Sequence, residues 1–474
     1  MPDRLEDALT WRDDARYPDL WAGMLWNDLK PQRFPDVIVR AGSAEIVREA
    51  VGLARDRGLR IAVRGSGHGW CGSPLRDGGM LIDLSGLRGH AIDPGAATAV
   101  AEPGVTGRTL SLALAEHGLA FPTGHCPTVA LSGFLLSGGL GWNPGVWGPA
   151  CHSVQGIEAV TADGELLRCD EEQNADLFWA ARGAGPGFFA AVTSFRLRLH
   201  PLPTAIMRTR YVFPLAEVED IARWADEIAE ELPASVEFGM ALTPGEAPEA
   251  GRPRPPIATV TAIAFAGSRD EAVRALGPLR DCPLAGRALV REVDRPTTFE
   301  SLYADSAAFW PERHRAAVDT LWSHEDFRIL LPRIAGHVER APSDKSLVLA
   351  LLSPGGPEAP ATPDTAFAAL GRTFLVPYAI WADRSEDEVN LRWLHQTMRA
   401  VEPSESDTMS RRRTCRPPRH APGARSHRPP GSVWRRTTRV VCSRRTSRRP
   451  DPYAAGRPWH GPDPSCRDRK ASRW

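Results

Sequence analysis

The sequence predicts an α+β protein with two domains. Its 474 residues exceed what one simple hydrophobic core usually organises, so two or three domains are expected. From Arg33 to Pro203, short apolar strands alternate with amphipathic helices, which is typical of α/β or α+β domains. From about Met207 to Val401, helical and strand-like runs are separated by proline-rich loops such as 244–256, which indicates a second α+β domain.

Turn and capping residues divide the first region into elements. Ser43 is predicted to cap a helix whose apolar face runs through Ala54 and which ends at Gly58. A second helix from about Thr106 to His117 is followed by Gly118 at the C′ position. The other predicted elements are strands at 59–63, 80–84 and 98–102, a hairpin over 157–167 with an Asp-Gly turn, a helix over 176–181 and a strand over 188–199.

The second region has longer elements. Helices are predicted over 215–232 and 269–276, and a third runs to Ala400 after Ser385 and Glu388, which stand at capping-box spacing. Strand-like runs lie at Ile257–Phe265, Phe327–Leu331 and Ser346–Leu352.

Charge is distributed unevenly along the chain. Residues 410–474 carry 19 Lys and Arg against three Asp and Glu, which leaves residues 1–409 with 39 basic and 55 acidic residues, a net charge of −16. An acidic body is a poor match for nucleic acid or anionic membranes, so we expect neither partner. The sequence has no run of about 18 apolar residues and no apolar N-terminal signal segment, so we expect a cytoplasmic protein.

The cysteines do not form a recognisable framework. All eight are scattered without a CxxC pair, which argues against a zinc site and against dense disulfide bonding. We therefore expect no metal, and packing is the role predicted for Cys71, Cys151 and Cys169.

The tail at 410–474 differs in composition from the rest of the chain. It contains ten prolines and no Leu, Ile, Phe or Met, so it cannot bury enough apolar area to offset its ordering entropy. One interpretation is a basic disordered extension that binds nucleic acid. The interpretation we favour is the product of a shifted reading frame in a GC-rich gene, which resequencing of the DNA would test.

Two turn-forming segments carry nucleophiles. The segment Arg64-Gly65-Ser66-Gly67-His68 follows a predicted strand, and Gly124-His125-Cys126-Pro127-Thr128-Val129 lies before a glycine-rich run. A glycine loop after a strand directs backbone N–H groups at an anion such as a pyrophosphate. The loop is not GxGxxG, which lowers the expectation of an ordinary NAD-binding fold. Judged singly, His68 is more often a hydrogen-bonding residue and Cys126 a small buried side chain.

Together, these segments resemble a known family. Residues 34–203 resemble the FAD-linked oxidases of the berberine bridge enzyme-like group, within the vanillyl-alcohol-oxidase and PCMH-type flavoproteins. Residues 64–68 are similar to the family's RxGGH loop, with Ser66 in place of a glycine, and residues 124–129 to its GxCPTV segment. Later blocks match in the same order, namely 132–141, 147–151, 160–164, 176–183 and 191–195.

The resemblance implies FAD as cofactor, attached at its 8α methyl by His68 and at ring carbon C6 by Cys126. It also implies that Val129 influences oxygen access and that Phe134, where many relatives have histidine, lines the flavin pocket. The further cofactor contacts that it implies are Arg64, Gly65, Ser66, Gly67, Gly69, Thr128, Val129, Ser132, Gly133, Gly138, Gly139, Gly141, Trp142 and Val192.

The resemblance also implies the domain plan. It predicts a lead-in at 1–32, a PCMH-type FAD-binding domain of two α/β subdomains at 33–204, and a substrate cap at 205–409 in which helices cover an antiparallel sheet. The aberrant tail at 410–474 then replaces the segment that completes the flavin domain in relatives, where that segment contains a Tyr-x-Asn motif.

The implied activity is that of an oxidase. A base takes a proton from substrate O–H or N–H, hydride passes to flavin N5, and O₂ is reduced to hydrogen peroxide. The substrate is a small alcohol, sugar or secondary-metabolite ring. The base is unassigned among Tyr378, Tyr303 and Glu237. Two alternatives remain open, namely a dehydrogenase with another electron acceptor and an inactive flavin-binding remnant caused by the altered C-terminus.

Overall fold

The computed structural model describes residues 4–245, 255–353, 363–367 and 371–402. The predicted tail at 410–474 lies outside the described residues. We refer to residues 4–204 as the N-terminal region and to residues 205–402 as the cap region. No helix in the described part of the chain is long and apolar enough to span a membrane.

The first sheet of the N-terminal region is mixed. Its strands are β1 (Leu9–Trp11), β2 (Val37–Arg40), β3 (Ile61–Arg64) and β4 (Met80–Asp83), and its helices are α1 (Leu5–Ala8), α2 (Tyr17–Ala22) and α3 (Ala44–Asp56). In the order β1-β2-β4-β3, the last three strands are parallel and β1, from the predicted lead-in, is antiparallel to β2. The cap of α3 is confirmed, because the Ser43 hydroxyl accepts the Ile46 N–H at 3.3 Å.

The second sheet is antiparallel, in the order β5-β6-β10-β8-β9. Its strands are β5 (His90–Asp93), β6 (Thr98–Ala101), β8 (Val154–Val160), β9 (Leu166–Cys169) and β10 (Ala191–Arg198). Around it lie β7 (Leu119–Ala120), paired with β11 (His200–Pro201), and α4 (Gly107–Ala115), α5 (Leu131–Leu136), α6 (Pro144–Trp147) and α7 (Ala175–Ala181). The Asp-Gly hairpin is confirmed, since β8 and β9 pair and Gly164 has φ 80°.

The cap region contains an antiparallel sheet of eight described strands. They are β12 (Ala205–Pro214), β13 (Val236–Thr243), β14 (Ile257–Ala266), β15 (Val290–Thr297), β16 (Arg315–Val318), β17 (Leu321–Ser323), β18 (Leu347–Leu352) and β19 (Thr373–Trp381). The order is β15-β12-β14-β13-β18-β19-β16, with β17 also paired to β19. The helices are α8 (Val218–Ala229), α9 (Arg269–Ala275), α10 (Gly277–Arg280), α11 (Phe299–Ala307), α12 (Phe327–Glu339) and α13 (Asp387–Val401).

One face of the cap sheet packs against helices. Phe238, Met240 and Leu242 of β13 join the core formed with α8, α12 and α13. Because side chains alternate along a strand, Glu237 on β13 points to the opposite face, and by the same alternation so does Tyr378 on β19. The predicted α+β class is confirmed, as is the antiparallel, helix-covered sheet of the cap.

Two predictions for the cap region were wrong. Phe327–Leu331 begins α12 and is not a strand, because Phe327, Leu331 and Ile334 continue a helical repeat that is buried in the core. The apolar run is only five residues long and is followed by Pro332, a residue that usually interrupts helices, so it resembled a strand. In the structure Pro332 lies inside α12. Nor does Ser385 form a capping box: its hydroxyl donates to Asp383, within a short 3₁₀ turn before α13.

We predict that Asp226→Ala destabilises the cap region. The buried Asp226 carboxylate accepts the backbone N–H groups of Phe327 at 3.0 Å and Arg328 at 2.9 Å, at the start of α12. Its loss leaves two donors unsatisfied and should lower the free energy of unfolding by about 1–3 kcal/mol in urea denaturation. Glu227→Ala, a control on the exposed side of α8, should change it by less than about 0.5 kcal/mol. Equal losses in the two variants would contradict the capping role.

Candidate active site

A buried ion pair begins the loop after β3. Arg64 Nη1 donates to Asp83 Oδ1 at 2.6 Å, and Arg64 Nε donates to the Met24 carbonyl at 2.9 Å. Both charged side chains are less than one-tenth exposed, so removing either partner would leave an uncompensated buried charge. The guanidinium of Arg64 therefore anchors the loop. A cofactor contact at this position stays a prediction.

Glycine and serine in this loop allow it to pack closely on α5. A Cβ on Gly65 would lie 1.8 Å from Ser132 Oγ, and one on Gly67, which has φ 78°, would lie 2.4 Å from the Met24 carbonyl. The Ser66 hydroxyl accepts the Ala130 N–H at 2.9 Å, just before α5. Ser66, where the family usually has glycine, thus joins the two segments that the sequence singled out.

The structure brings His68 and Cys126 together. The Thr128 hydroxyl lies 3.0 Å from His68 Nε2 and 3.5 Å from Cys126 Sγ, although 58 residues separate His68 from Cys126 in the chain. His68 Nε2 and Cys126 Sγ can therefore be no farther apart than the sum of these two distances. This is the arrangement that attachment of one ring system to both would require.

His68 is held as a neutral imidazole. Its ring stacks on Trp26, with centroids 5.5 Å apart and planes 23° from parallel. Burial lowers the pKa of His68 to about 4, and the nearby Arg64 charge acts in the same direction. At neutral pH the ring consequently keeps a free nitrogen lone pair, which is what a nucleophile needs.

Aromatic side chains from both regions form a cluster that contacts Trp26, the ring on which His68 stacks. Trp70 lies edge-on to Trp26 at 5.3 Å and contacts Trp310 and Tyr378 at 5.7 and 5.5 Å between centroids. Trp310 and Tyr378, both from the cap region, are 4.6 Å apart. Burial raises the pKa of Tyr378, and the neighbouring Cys126 acts in the same direction. One wall of the candidate site is therefore aromatic.

Asn27 joins the two regions beside this wall. Its amide donates to the Trp70 carbonyl at 3.0 Å and to the Ala316 carbonyl at 2.7 Å, and its oxygen accepts the Ala316 N–H at 2.9 Å. The side chain is 2% exposed, so all three bonds are protected from water. Asn27 and Trp26 carry no motif, and the sequence offered no signal for them.

A carboxylate–imidazole pair forms the other wall. His125 Nε2 lies 2.6 Å from Glu237 Oε1, and the other Glu237 oxygen accepts the Asn143 N–H at 3.3 Å. The His125 ring packs on Trp142, with centroids 4.0 Å apart. Glu237 was one of the unassigned base candidates. His125 was not singled out, and its position next to Cys126 was the available signal.

Tyr303 is part of the contact between the two regions. Its hydroxyl lies 2.7 Å from Thr123 Oγ1 and 3.1 Å from Ser111 Oγ, and the residue is 2% exposed. Burial raises its pKa. Tyr303 thus packs α11 of the cap region against α4 and its following turn.

The predicted cofactor-contacting glycines differ in their surroundings. A Cβ on Gly69 or Gly133 would meet nothing within 4 Å, so the backbone there faces open space. Gly139 and Gly141 instead face protein atoms, at 2.8 Å from Ala150 Cβ and 2.2 Å from the Pro122 carbonyl. Gly138, with φ 101°, faces the ring of Phe367 from the cap region at 2.4 Å.

The remaining predicted contacts lie within the fold. Ser132 is buried beside Gly65, and Trp142 is buried between His125 and α11. Val129 accepts the Gly107 N–H at 3.0 Å, which ties the turn to α4. Val192 is 2% exposed in the core of the second sheet. Cofactor contacts at these positions stay predictions.

These residues fit a flavin attached at two points. A neutral imidazole and a thiol converge on one hydroxyl, and open backbone lies beside them at Gly69 and Gly133. His68 and Cys126 would hold the ring system. The 64–70 loop would face the phosphates, because glycine-rich turns present backbone N–H groups to anions.

Comparisons with known proteins agree with this geometry. Residues 35–170 match the FAD binding domain family. The chain is 32% identical over 401 residues to the FAD-linked oxidoreductase ptmO of Penicillium ochrochloron, covering 83% of this chain and 85% of that protein.

Solved structures of other proteins share this fold. The 6-hydroxy-D-nicotine oxidase of Arthrobacter nicotinovorans matches with a TM-score of 0.69 and 25% identity, covering 83% of this chain and 85% of that one. The BBE-like 1 protein of Physcomitrella patens matches with a TM-score of 0.70 and 19% identity, covering 84% and 87%. The predicted PCMH-type architecture is thereby confirmed.

We predict that Gly65→Ala disrupts the site and that a second substitution partly restores it. The new methyl group would clash with Ser132 Oγ at 1.8 Å and push the loop away from α5. The thermal midpoint should fall by several degrees, as expected for a loss of about 1–3 kcal/mol. Gly65→Ala with Ser132→Ala should recover part of this loss, since the nearest remaining side-chain atom would be 3.0 Å away.

Gly69→Ala is the matched control, because a Cβ there meets nothing within 4 Å. Its thermal midpoint should stay close to that of the unmodified protein. If the double variant is no more stable than Gly65→Ala, steric contact with Ser132 is not the cause.

Proposed function

Because this chain belongs to the FAD-linked oxidoreductases with a PCMH-type FAD-binding domain, the group that includes the berberine bridge enzyme-like proteins, we propose that it is an oxidase with a doubly attached flavin. When bound, FAD accepts a hydride from the substrate carbon and passes two electrons to O₂, which yields hydrogen peroxide. The proposed substrate is an alcohol, a sugar or a secondary-metabolite ring. The observation that carries the proposal is the Thr128 hydroxyl placed between His68 and Cys126.

The residues around His68 support attachment at that position. Stacking on Trp26 orients the imidazole, and the pKa of about 4 keeps it unprotonated at neutral pH. The Thr128 hydroxyl hydrogen-bonds Nε2 and directs the ring toward Cys126. His68 and Cys126 would hold the flavin: each bond would replace one C–H of the flavin and one N–H or S–H of the side chain and release two protons and two electrons, which the flavin would take up and pass to O₂.

The cap sheet supports binding of a small organic molecule beside these nucleophiles. Its face opposite the helices presents Glu237 and Tyr378, with Trp70 and Trp310 adjacent to the tyrosine. Aromatic rings bind the apolar faces of sugars and planar rings, and a carboxylate–imidazole pair binds a polar O–H or N–H group. A substrate with an apolar face and an O–H or N–H group could therefore pack its apolar face on the aromatic wall and donate a hydrogen bond to the His125–Glu237 pair.

We predict that flavin stays with the denatured protein. Acid precipitation of the purified protein should give a yellow pellet, because covalent bonds survive unfolding. Either His68→Ala or Cys126→Ala alone should keep the colour through the remaining bond, and the double variant should lose it. The measurement is the absorption spectrum of the redissolved pellet. Cys169→Ala, a buried cysteine of β9, is the control. A yellow pellet from the double variant would refute attachment at these two residues.

Anaerobic bleaching tests the activity. We propose a panel of (R)-6-hydroxynicotine, cinnamyl alcohol and D-glucose, which represents a ring amine, an alcohol and a sugar. At least one compound should bleach the flavin absorbance without oxygen, and admitting air should restore the colour with formation of hydrogen peroxide. Bleaching without peroxide in air would indicate a dehydrogenase. A yellow protein that none of the three bleaches would contradict the proposed substrate classes.

A further inference from the structure

We propose that His125 is the catalytic base of this enzyme and that Glu237 is the residue that positions it. The inference rests on the proposed function, since it concerns the proton that leaves the substrate as hydride is transferred. Its basis is the geometry of the pair. The His125 imidazole lies on the turn that carries Cys126, and the Glu237 carboxylate approaches it from β13 of the cap region at 2.6 Å.

The bond to Glu237 determines which imidazole nitrogen is free. A carboxylate accepts hydrogen bonds, so Nε2 carries the proton and Nδ1 keeps its lone pair. No hydrogen bond to His125 Nδ1 occurs among the described residues, and the side chain is one-third exposed. The imidazole thus combines one nitrogen oriented by a carboxylate with one nitrogen open to a ligand. Enzymes that use histidine as a base hold it in this way.

The surroundings of Glu237 argue against the carboxylate acting directly. One oxygen is bound to His125, the other accepts the Asn143 N–H at 3.3 Å, and the side chain is only 15% exposed. Asn143 holds this N–H in place with a left-handed backbone, at φ 52°. Glu237 is therefore oriented toward His125 and acts on the substrate through the imidazole.

The tyrosines are less suitable bases. The Tyr303 hydroxyl is already bonded to Thr123 and Ser111 and is shielded from solvent. Burial raises the pKa of both Tyr303 and Tyr378, so the phenolate that would accept a proton is scarce at neutral pH. Tyr378 also lies on the other wall, against Trp70 and Trp310. Its position suits it to contact the substrate's apolar face.

The proposed step conserves atoms and electrons. The substrate O–H or N–H proton moves to His125 Nδ1, and the bonding pair left on oxygen or nitrogen forms the new double bond to carbon. The C–H bond breaks with its electron pair, and that hydride goes to the flavin. Glu237 stabilises the imidazolium that results, through the bond at Nε2. The proton returns to solvent once the oxidised product leaves.

The first experiment determines the tautomer of His125 and its dependence on Glu237 by NMR, in the absence of substrate. The full chain is labelled with ¹⁵N histidine, and the His125 signals are assigned by their loss in His125→Gln. We expect the Nε2–H tautomer. The Nε2–H signal should shift in Glu237→Gln, because a charged hydrogen-bond acceptor is replaced by a weaker neutral one. An Nδ1–H tautomer or an unchanged Nε2–H signal would overturn the pairing.

The second experiment measures catalysis with whichever compound of the three-member panel bleaches the flavin. In anaerobic stopped-flow experiments, His125→Gln should lower the rate constant of flavin reduction by about 10²–10⁴-fold. Glu237→Gln should lower it less and move the acidic limb of the pH profile to lower pH. His90→Gln, on the exposed edge strand β5, is the control and should match the unmodified protein.

The outcomes separate the two proposals. If His125→Gln keeps a yellow denatured pellet but reduces its flavin as fast as the unmodified protein, the base assignment is wrong and the oxidase proposal stands. If no panel compound bleaches the unmodified protein, the proposed substrate classes fail, and the tautomer and the Nε2–H signal still decide whether Glu237 positions His125. A merely structural role for His125 would lower the thermal midpoint without changing the pH profile, and that result would also overturn the assignment.

Discussion

Close packing between the loop after β3 and the turn before α5 is the constraint on which the candidate site depends. Gly65 lies against Ser132, and the Ser66 hydroxyl accepts the Ala130 N–H, so the two segments meet without space for one additional methyl group at Gly65. The buried bond between Arg64 and Asp83 holds the start of the loop in place. With both segments held, the Thr128 hydroxyl reaches the imidazole and the thiol together. A shift of either backbone by one ångström would break that arrangement, because hydrogen bonds weaken steeply with distance and angle.

The two regions contribute different chemistry to the site. The N-terminal region supplies the nucleophiles and the open glycine backbone, which suits it to holding the cofactor. The cap region supplies Trp310, Tyr378 and Glu237 from the sheet face opposite its helices and from the turn after α11. Asn27 links the two regions through two buried hydrogen bonds to Ala316, and a third bond, to the Trp70 carbonyl, keeps the aromatic wall beside His68. Because the cap strands can vary without disturbing the N-terminal packing, related enzymes can share cofactor binding and differ in substrate.

Local sequence patterns predicted the elements whose signals are local. The Ser43 cap and the Asp-Gly hairpin each depend on a few adjacent residues, and both are present. The helix predicted from about Thr106 to His117 is also present, but it ends at Ala115 with Glu116 as its C-cap, so Gly118 lies one position beyond C′ rather than at C′. The strand predicted at Phe327–Leu331 was wrong because a five-residue apolar run fits a strand and a buried helix equally well. What decides between them is the burial of Ile334 and Val338 in the cap core and the capping of α12 by Asp226, which is 101 residues away from Phe327. No local pattern contains that information.

The sequence by itself determined the α+β class and the family, and it singled out His68 and Cys126 as predicted attachment residues, because the glycine, histidine and cysteine positions that the family requires occur within two short motifs. Tertiary structure alone decided which side chains surround those nucleophiles. Trp26, Asn27, His125 and Glu237 come from a segment without a motif, from the position next to a recognised cysteine and from a strand of another region. Their contacts join residues that are 42 to 289 positions apart in the chain. Such contacts form only when folding brings distant segments together, so residue spacing along the chain does not predict them.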